Sequence, residues 1–362
     1  MGPGPSNLYP EVVSAAVFPV LGHLDPEFLA RLDETMERLR TVFRTSNALT
    51  FPVSGTGSAG MEAAFVNLVR PGDPVVVGVN GLFGERMCEV AARAGADVHR
   101  VDAPWGQPID PDLVAAAHPA PAVVAVVHAE TSTGVRNDVA GLRPLLPEDT
   151  LVIADMVTSL GGIVTDVDGW GVDVAYAGTQ KCLGVPPGLA PITVSDRARE
   201  RLVDRPSSWY LDLGLISGYV GAGAAGTGGG RTYHHTAPVT MVTCLHAGLG
   251  AILDEGLDQA IERHLACGTA LQDGLEGLGL ELFAAEGARL PELTTVVVPD
   301  DLPAGMDEAG VRWALLDRFG IEIGGGVGPL AGRVWRIGCM GHGARMANVT
   351  LLLSALAEVM GR

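Results

Sequence analysis

Lysine is almost missing from this chain. Its 24 basic residues include a single lysine, Lys181, and the rest are arginine, although lysine is ordinarily among the commonest residues. Arginine therefore serves wherever a fixed positive charge is enough. It cannot lose its proton near neutral pH and act as an amine nucleophile, whereas a lysine with a lowered pKa can. The survivor is a candidate for amine chemistry, or else a chance remnant on a surface loop. Cationic excess is missing as well: a formal charge of −18 repels phosphate backbones and argues against nucleic acid as a partner. Long apolar runs are absent. The stretch PAPAVVAVVHA (119–129) falls well short of the roughly 20 residues that span a bilayer, so no membrane is expected. Five scattered cysteines without CxxC spacing read as reduced thiols in a cytoplasm rather than a disulfide framework. The opening MGPGPSNLYPEVV lacks the basic and apolar segments of a secretory signal, so none is expected.

What is present is a packed globular chain. With 47% hydrophobic and 18% charged residues over 362 positions, it suits a large domain with a smaller one attached. Short β-branched runs at 74–80, 97–103, 122–129, 150–156 and 173–178 predict strands, with amphipathic helices over 58–69 and 84–96. This alternation predicts an α/β fold whose mostly parallel sheet is covered by helices. A long helical stretch, 244–279, leads into a shorter α+β pattern with strands near 294–299 and 333–338. The expected division is an N-terminal arm (1–20), a large domain (21–250) and a small C-terminal domain (251–362). The segment 218–238 looks too glycine-rich for a helix or strand.

In open α/β sheets, ligands sit at the carboxyl ends of strands. Asp155 closes the run LVIAD, HAETSTGV places Glu130 to Thr133 at another strand end, and Lys181 lies just beyond DVAYAGTQ. SGTGSAG (54–60) ends a turn-like segment and opens a helix, where free amides beside two hydroxyls make an anion site. Each also has a plainer reading. Asp155 and the SGTGSAG cluster serve equally as helix caps, and Phe83 in NGLFGER is either core or a flat stacking surface. The adjacent His234 and His235 point in different directions without a third ligand, and Cys339 and His342 lack partners, so no metal is expected.

An amine, a carboxylate, a phosphate cradle and a stacking face together describe pyridoxal phosphate. The chain resembles the class V, fold type I aminotransferases, close to the alanine-glyoxylate and serine-glyoxylate group. The matching stretches keep the family's order: GPGPSN (2–7), SGTGSAGMEAAFVN (54–67), NGLFGER (80–86), HAETSTGV (128–135), DMVTSLGG (155–162), GTQKCLGVPPGLAP (178–191), YHHTAP (233–238) and IEIGGGVGPLAGRVWRIGCMG (321–341). The resemblance implies a fold type I architecture of two domains. It also implies that Lys181 joins the cofactor aldehyde as a Schiff base and later shuttles the proton. Asp155 would pair with the ring nitrogen, and Thr56, Gly57, Ser58 and Gln180 would contact the phosphate. Thr131 would lie beside the ring, Phe83 would stack on it in place of the tryptophan of some relatives, and Arg336 would bind the substrate carboxylate. Tyr233 and Thr236 would reach the phosphate of a neighbouring subunit, which makes the active unit a homodimer with shared sites. The segment GLISGYVGAGAAGTGGG (214–230) departs from the family pattern.

Three functions follow from these readings. The first is a cytoplasmic transaminase that moves an amino group from a small amino acid, of alanine or serine type, to a 2-oxo acid such as glyoxylate or pyruvate. The second is a related cofactor enzyme, either a ureidoglycine-glyoxylate aminotransferase or a desulfurase-like lyase using a thiol such as Cys182 or Cys339. The third is a binding protein on a dead enzyme fold, against which the survival of Lys181 argues.

Overall fold

A computed structural model describes residues 1–221 and 231–362. In chain order the strands are β1 (Leu49–Ser54), β2 (Pro74–Val79), β3 (Asp97–Asp102), β4 (Val123–Val127), the ribbon β5 (Ala129–Glu130) and β6 (Val135–Arg136), β7 (Leu151–Asp155), β8 (Val174–Tyr176), β9 (Leu189–Val194), β10 (Leu293–Val297), β11 (Gly324–Gly325) and β12 (Val334–Gly338). Seven of them form the main sheet in the order β1-β9-β8-β7-β4-β2-β3. All run in one direction except β9, which is antiparallel to both neighbours. Strands β4 and β7 are buried along their whole length, as continuous apolar runs covered on both faces must be. The α/β expectation with a mostly parallel sheet is met.

The helix Pro26–Phe43 starts where the Asp25 side chain accepts the Glu27 N–H at 2.8 Å and Pro26 occupies the first turn, a position where its missing N–H costs nothing. It buries Phe28, Leu32, Met36, Leu39 and Phe43. One apolar core runs from Tyr9 to Ala260, and a second, around the antiparallel sheet β10-β12-β11, from Cys267 to Met360. Among the described residues no helix is long and apolar enough to cross a membrane.

Three local expectations are corrected. The segment before SGTGSAG is the strand β1 rather than a turn. The helical stretch 244–279 is two helices, Val239–Glu255 and Leu257–Gly277, broken where Gly256 takes φ +93°, a conformation that suits glycine. The glycine-rich segment contributes its first residues to the helix Leu213–Val220, because Asp212 caps it and Leu213, Ile216, Tyr219 and Val220 are buried. Residues 222–230 of that segment lie outside the described residues.

Candidate active site

The carboxyl ends of β4, β7 and β8 stand side by side, with Val127, Asp155 and Tyr176 in one layer of the register. Opposite them the helix Gly57–Leu68 begins directly after β1. No side chain caps this helix, and a Cβ on Gly57 would stand 2.7 Å from Val157, so only glycine lets its first turn approach this closely. Between these elements lies a cavity of about 160 Å³ that gathers Thr56, Gly57, Ser58, Phe83, Thr131, Asp155, Gln180 and Lys181. Eight of the residues named from the sequence thus share one space. Met61, Arg86, Val157 and Thr158 also line it and were not anticipated. The Arg86 guanidinium stands over the Phe83 ring at 5.1 Å, and its place one turn after Phe83 in NGLFGER was the available signal.

Lys181 follows β8 on a loop whose conformation is fixed from outside. Its carbonyl accepts Ser6 Oγ at 2.6 Å and the Gly184 N–H at 3.0 Å. Its amine reaches the N-terminal segment, donating to the Pro3 carbonyl at 2.5 Å. Burial lowers its pKa to about 8, helped by the nearby charge of Arg336 and opposed by Asp155. Asp155 ends β7, 4% exposed, and its Oδ1 accepts the Val157 N–H at 2.9 Å. Burial pushes it up to about 7 against the pull of that hydrogen bond. An acid and an amine that both titrate close to neutrality share one small cavity, a hallmark of proton-transfer sites.

Arg336 lies on β12 and belongs to the second core's sheet, yet it points back to the first. Its Nε donates to the Gly325 carbonyl at 2.8 Å and its Nη1 to the Thr131 carbonyl at 3.3 Å. The anionic partner that a half-buried guanidinium calls for is not filled by an ion pair among the described residues. Burial lowers its pKa while the charge of Glu130 opposes that. Gln180 presents a buried Oε1 without a hydrogen-bond partner. Tyr233 is 58% exposed and Thr236 is exposed, and neither lines the cavity. Near them, His235 Nε2 pairs with Ser54 Oγ at 2.7 Å, and His234 stacks on Trp209 with ring centroids 4.4 Å apart. Cys182 and Cys339 are both fully buried.

Sequence reasoning passed over Glu130 as a component of the site. It is 0% exposed; one carboxylate oxygen accepts the Phe83 and Gly84 N–H groups, and the other the Ser132 N–H and hydroxyl. It thereby ties the ribbon bearing Thr131 to the helix bearing Phe83.

The family model for class-V aminotransferases matches residues 7–326. An alanine-glyoxylate aminotransferase of Drosophila melanogaster is 40% identical, with 99% of this chain and 91% of that protein aligned. An (S)-ureidoglycine-glyoxylate transaminase of Bacillus subtilis is 38% identical over 100% of this chain and 90% of its own length. Among solved structures, an alanine-glyoxylate aminotransferase from Nostoc sp. superposes with a TM-score of 0.93 at 45% identity, covering 99% of this chain and 94% of the other. Neighbours of this kind have the fold type I architecture of pyridoxal-phosphate enzymes. With full-length likeness of this degree, the chain belongs to the class-V aminotransferases, a pyridoxal-phosphate-dependent family.

Proposed function

We propose that the protein transfers the amino group of a small amino acid, of alanine or serine type, to a 2-oxo acid such as glyoxylate or pyruvate, with Lys181 as the working amine. The observation that carries this is the only lysine of the chain standing in one cavity with a buried Asp155, while Arg336, from the second sheet, donates to the carbonyl of Thr131 in that cavity's lining. The residues fit the cofactor. An uncapped helix start at Thr56, Gly57 and Ser58 suits a phosphate group, and the Gln180 side chain in the same lining carries an amide NH₂ that would donate to it. Phe83 offers a flat face and Thr131 a hydroxyl. Bound pyridoxal phosphate supplies an aldehyde for amines and a ring that accepts electrons when the substrate's α-proton leaves.

The chain's own groups divide the remaining work. The Asp155 carboxylate would pair with the ring nitrogen and so favour a proton on that nitrogen, which would make the ring a better electron sink. Arg336 binds the substrate carboxylate through its planar fork and so orients the α-carbon. Lys181 Nζ would take the α-proton and return it to the carbon on the far side of the substrate nitrogen. Tyr233 and Thr236, exposed on one chain, complete the phosphate site of a second in a cytoplasmic homodimer. A division into arm (1–20), large domain (21–250) and small domain (251–362) goes with this reading; the two separate apolar cores support two domains, the first core taking in Tyr9 and Ala260 as well. A ureidoglycine donor is the second reading, favoured by the likeness to the Bacillus subtilis enzyme.

Borohydride reduction followed by peptide mapping tests the assignment, because the cofactor can be fixed to one lysine alone. Cofactor mass on any other peptide removes Lys181 from its role. A panel of alanine, serine and ureidoglycine against glyoxylate and pyruvate then separates the two donors. Mixing Lys181→Ala subunits with Tyr233→Ala, Thr236→Ala subunits tests site sharing: activity should return, and heterodimers without it argue for self-contained sites.

A further inference from the structure

The hydrogen bond from Lys181 Nζ to the Pro3 carbonyl, 2.5 Å long, belongs to a segment that is pinned from both sides. Ser6 donates its N–H to the Gln180 carbonyl at 2.8 Å and its hydroxyl to the Lys181 carbonyl at 2.6 Å. On the other side the Gly338 N–H reaches the Met1 carbonyl at 2.8 Å, and the Pro3 ring lies so close to Gly324 that a Cβ there would stand 2.7 Å from it. The segment thus bridges the lysine loop and the sheet that carries Arg336. Gly4 takes φ +110°, and a Cβ on it would stand 2.7 Å from Nζ and 2.9 Å from Cδ of Lys181. Among the described residues Nζ has no ion-pair partner, so this carbonyl is its anchor.

We propose that the Pro3 carbonyl holds the Lys181 amine whenever that amine is not bonded to the cofactor, and that the segment 3–7 is a positioning element for proton transfer. The proposal rests on the reading of Lys181 as the proton-carrying amine. A lysine stem has many rotamers, and one fixed acceptor narrows them. A backbone carbonyl does not titrate, so it holds both ammonium and amine. When it accepts one N–H of the neutral amine, the lone pair points away from Pro3 and stays free for the substrate's proton. A carboxylate in the same place would raise the amine's pKa and keep it protonated.

The test uses the holoenzyme with its cofactor in the amine form, prepared by supplying an amino donor and withholding the oxo acid. Trace acetic anhydride then labels lysine at a single peptide. In Gly4→Ala the new Cβ displaces the segment; in the control Gly2→Ala the Cβ meets Glu322 at an ordinary 3.5 Å. Gly4→Ala should label Lys181 faster by about tenfold and lower kcat by about tenfold, with KM within about twofold of the parent. Its acid limb of the kcat profile should move to lower pH, since an ammonium loses its acceptor. Gly2→Ala should match the parent. Gly4→Ala with parental labelling, kcat and pH profile overturns the proposal. Should Gly4→Ala fail to fold, a crystal structure of the parent in the amine form decides: Nζ within hydrogen-bond distance of Pro3 O is expected, and an amine turned to another partner overturns it. Cofactor absent from the Lys181 peptide after borohydride would instead overturn the underlying reading. Cofactor present there, with Gly4→Ala unchanged, removes the Pro3 anchor alone.

Discussion

The Glu130 carboxylate accepts the Phe83 backbone N–H at 3.0 Å, so the helix start that carries the stacking surface of the cavity is hung on a buried acid from β5. Each of its oxygens accepts two donors. Glu130→Gln turns one oxygen into an NH₂ group, which loses the two hydrogen bonds at that oxygen and faces the same two donors, while the other oxygen keeps its pair. We expect a loss of roughly 2–4 kcal/mol in stability and weaker cofactor binding. Urea unfolding with and without cofactor measures both. Parental values for Glu130→Gln would mean that the Phe83 helix start is held by something else.

Burying Lys181 costs the cofactor-free protein stability. Its folded pKa is lowered from 10.5 to about 8, so the unfolded chain binds more protons between those values. Stability therefore rises with pH across that window, and the penalty is complete below about pH 8. Lys181→Met removes the charge and keeps an unbranched apolar stem. The cofactor-free variant should be more stable at pH 7, by on the order of 3 kcal/mol at most, while losing all transamination. Thermal melts at pH 7 and pH 10.5 check this; a variant less stable than its parent at pH 7 contradicts it.

Glu292 is fully buried, and neither carboxylate oxygen has a hydrogen-bond partner. Burial pushes its pKa from 4.5 up to about 8. A raised pKa favours the folded state at acid pH and loses that favour as pH climbs through 8. Glu292→Gln, which does not titrate, should gain on the parent by on the order of a few kcal/mol between pH 5 and pH 9. A difference between variant and parent melts that stays constant with pH would show that the carboxyl is solvated or paired.

Arg336→Ala should lower kcat/KM by about 30- to 1,000-fold, the loss of a paired, charge-assisted contact worth roughly 2–4 kcal/mol. Because donor and acceptor share a carboxylate, both half-reactions should fall together, and Arg336→Lys should recover only part. Single-turnover kinetics with an amino acid, and separately with an oxo acid, read the two halves. A defect confined to one half would place the carboxylate elsewhere.

Much of this site was legible because its parts are local. Asp155 ends an unbroken apolar run, Lys181 is alone in the composition, and Thr56 to Ser58 open a glycine-rich helix. Glu130 was seen only as a strand-end polar residue, because its four donors come from two segments about fifty positions apart. The Pro3 carbonyl left no trace, since a backbone oxygen has no identity in a sequence. Strands β1 and β9 were missed for another reason. Each contains a proline, Pro52 and Pro191, and proline argues against a central strand. In the fold the two lie directly opposite each other. The Pro191 carbonyl, and with it the nitrogen, faces Ala177 rather than β1, so pairing β1 with β9 calls for neither missing N–H. The helix Pro26–Phe43 was legible from Asp25, Pro26 and the spacing of Phe28, Leu32, Met36, Leu39 and Phe43, a signal present in the chain but not read.

The burial of β1 has a consequence at the border of the sheet. As the terminal strand, β1 has no strand beyond it, yet its residues 49–53 are buried, and Pro52 shares the lining of a small cavity with Ile216, Tyr219 and Val220 of the helix Leu213–Val220, so this edge is not open to an incoming chain. At the opposite border β3 reads DVHRVD, with Arg100 and Asp102 paired to each other at 2.7 Å and both exposed. A foreign strand docking on that side would have to strip water from charges, and on the other side it would have to displace the helix that packs beside Pro52. A sheet of seven strands this apolar is the kind of surface on which fibrils nucleate, and both of its margins discourage growth by recruitment of further chains.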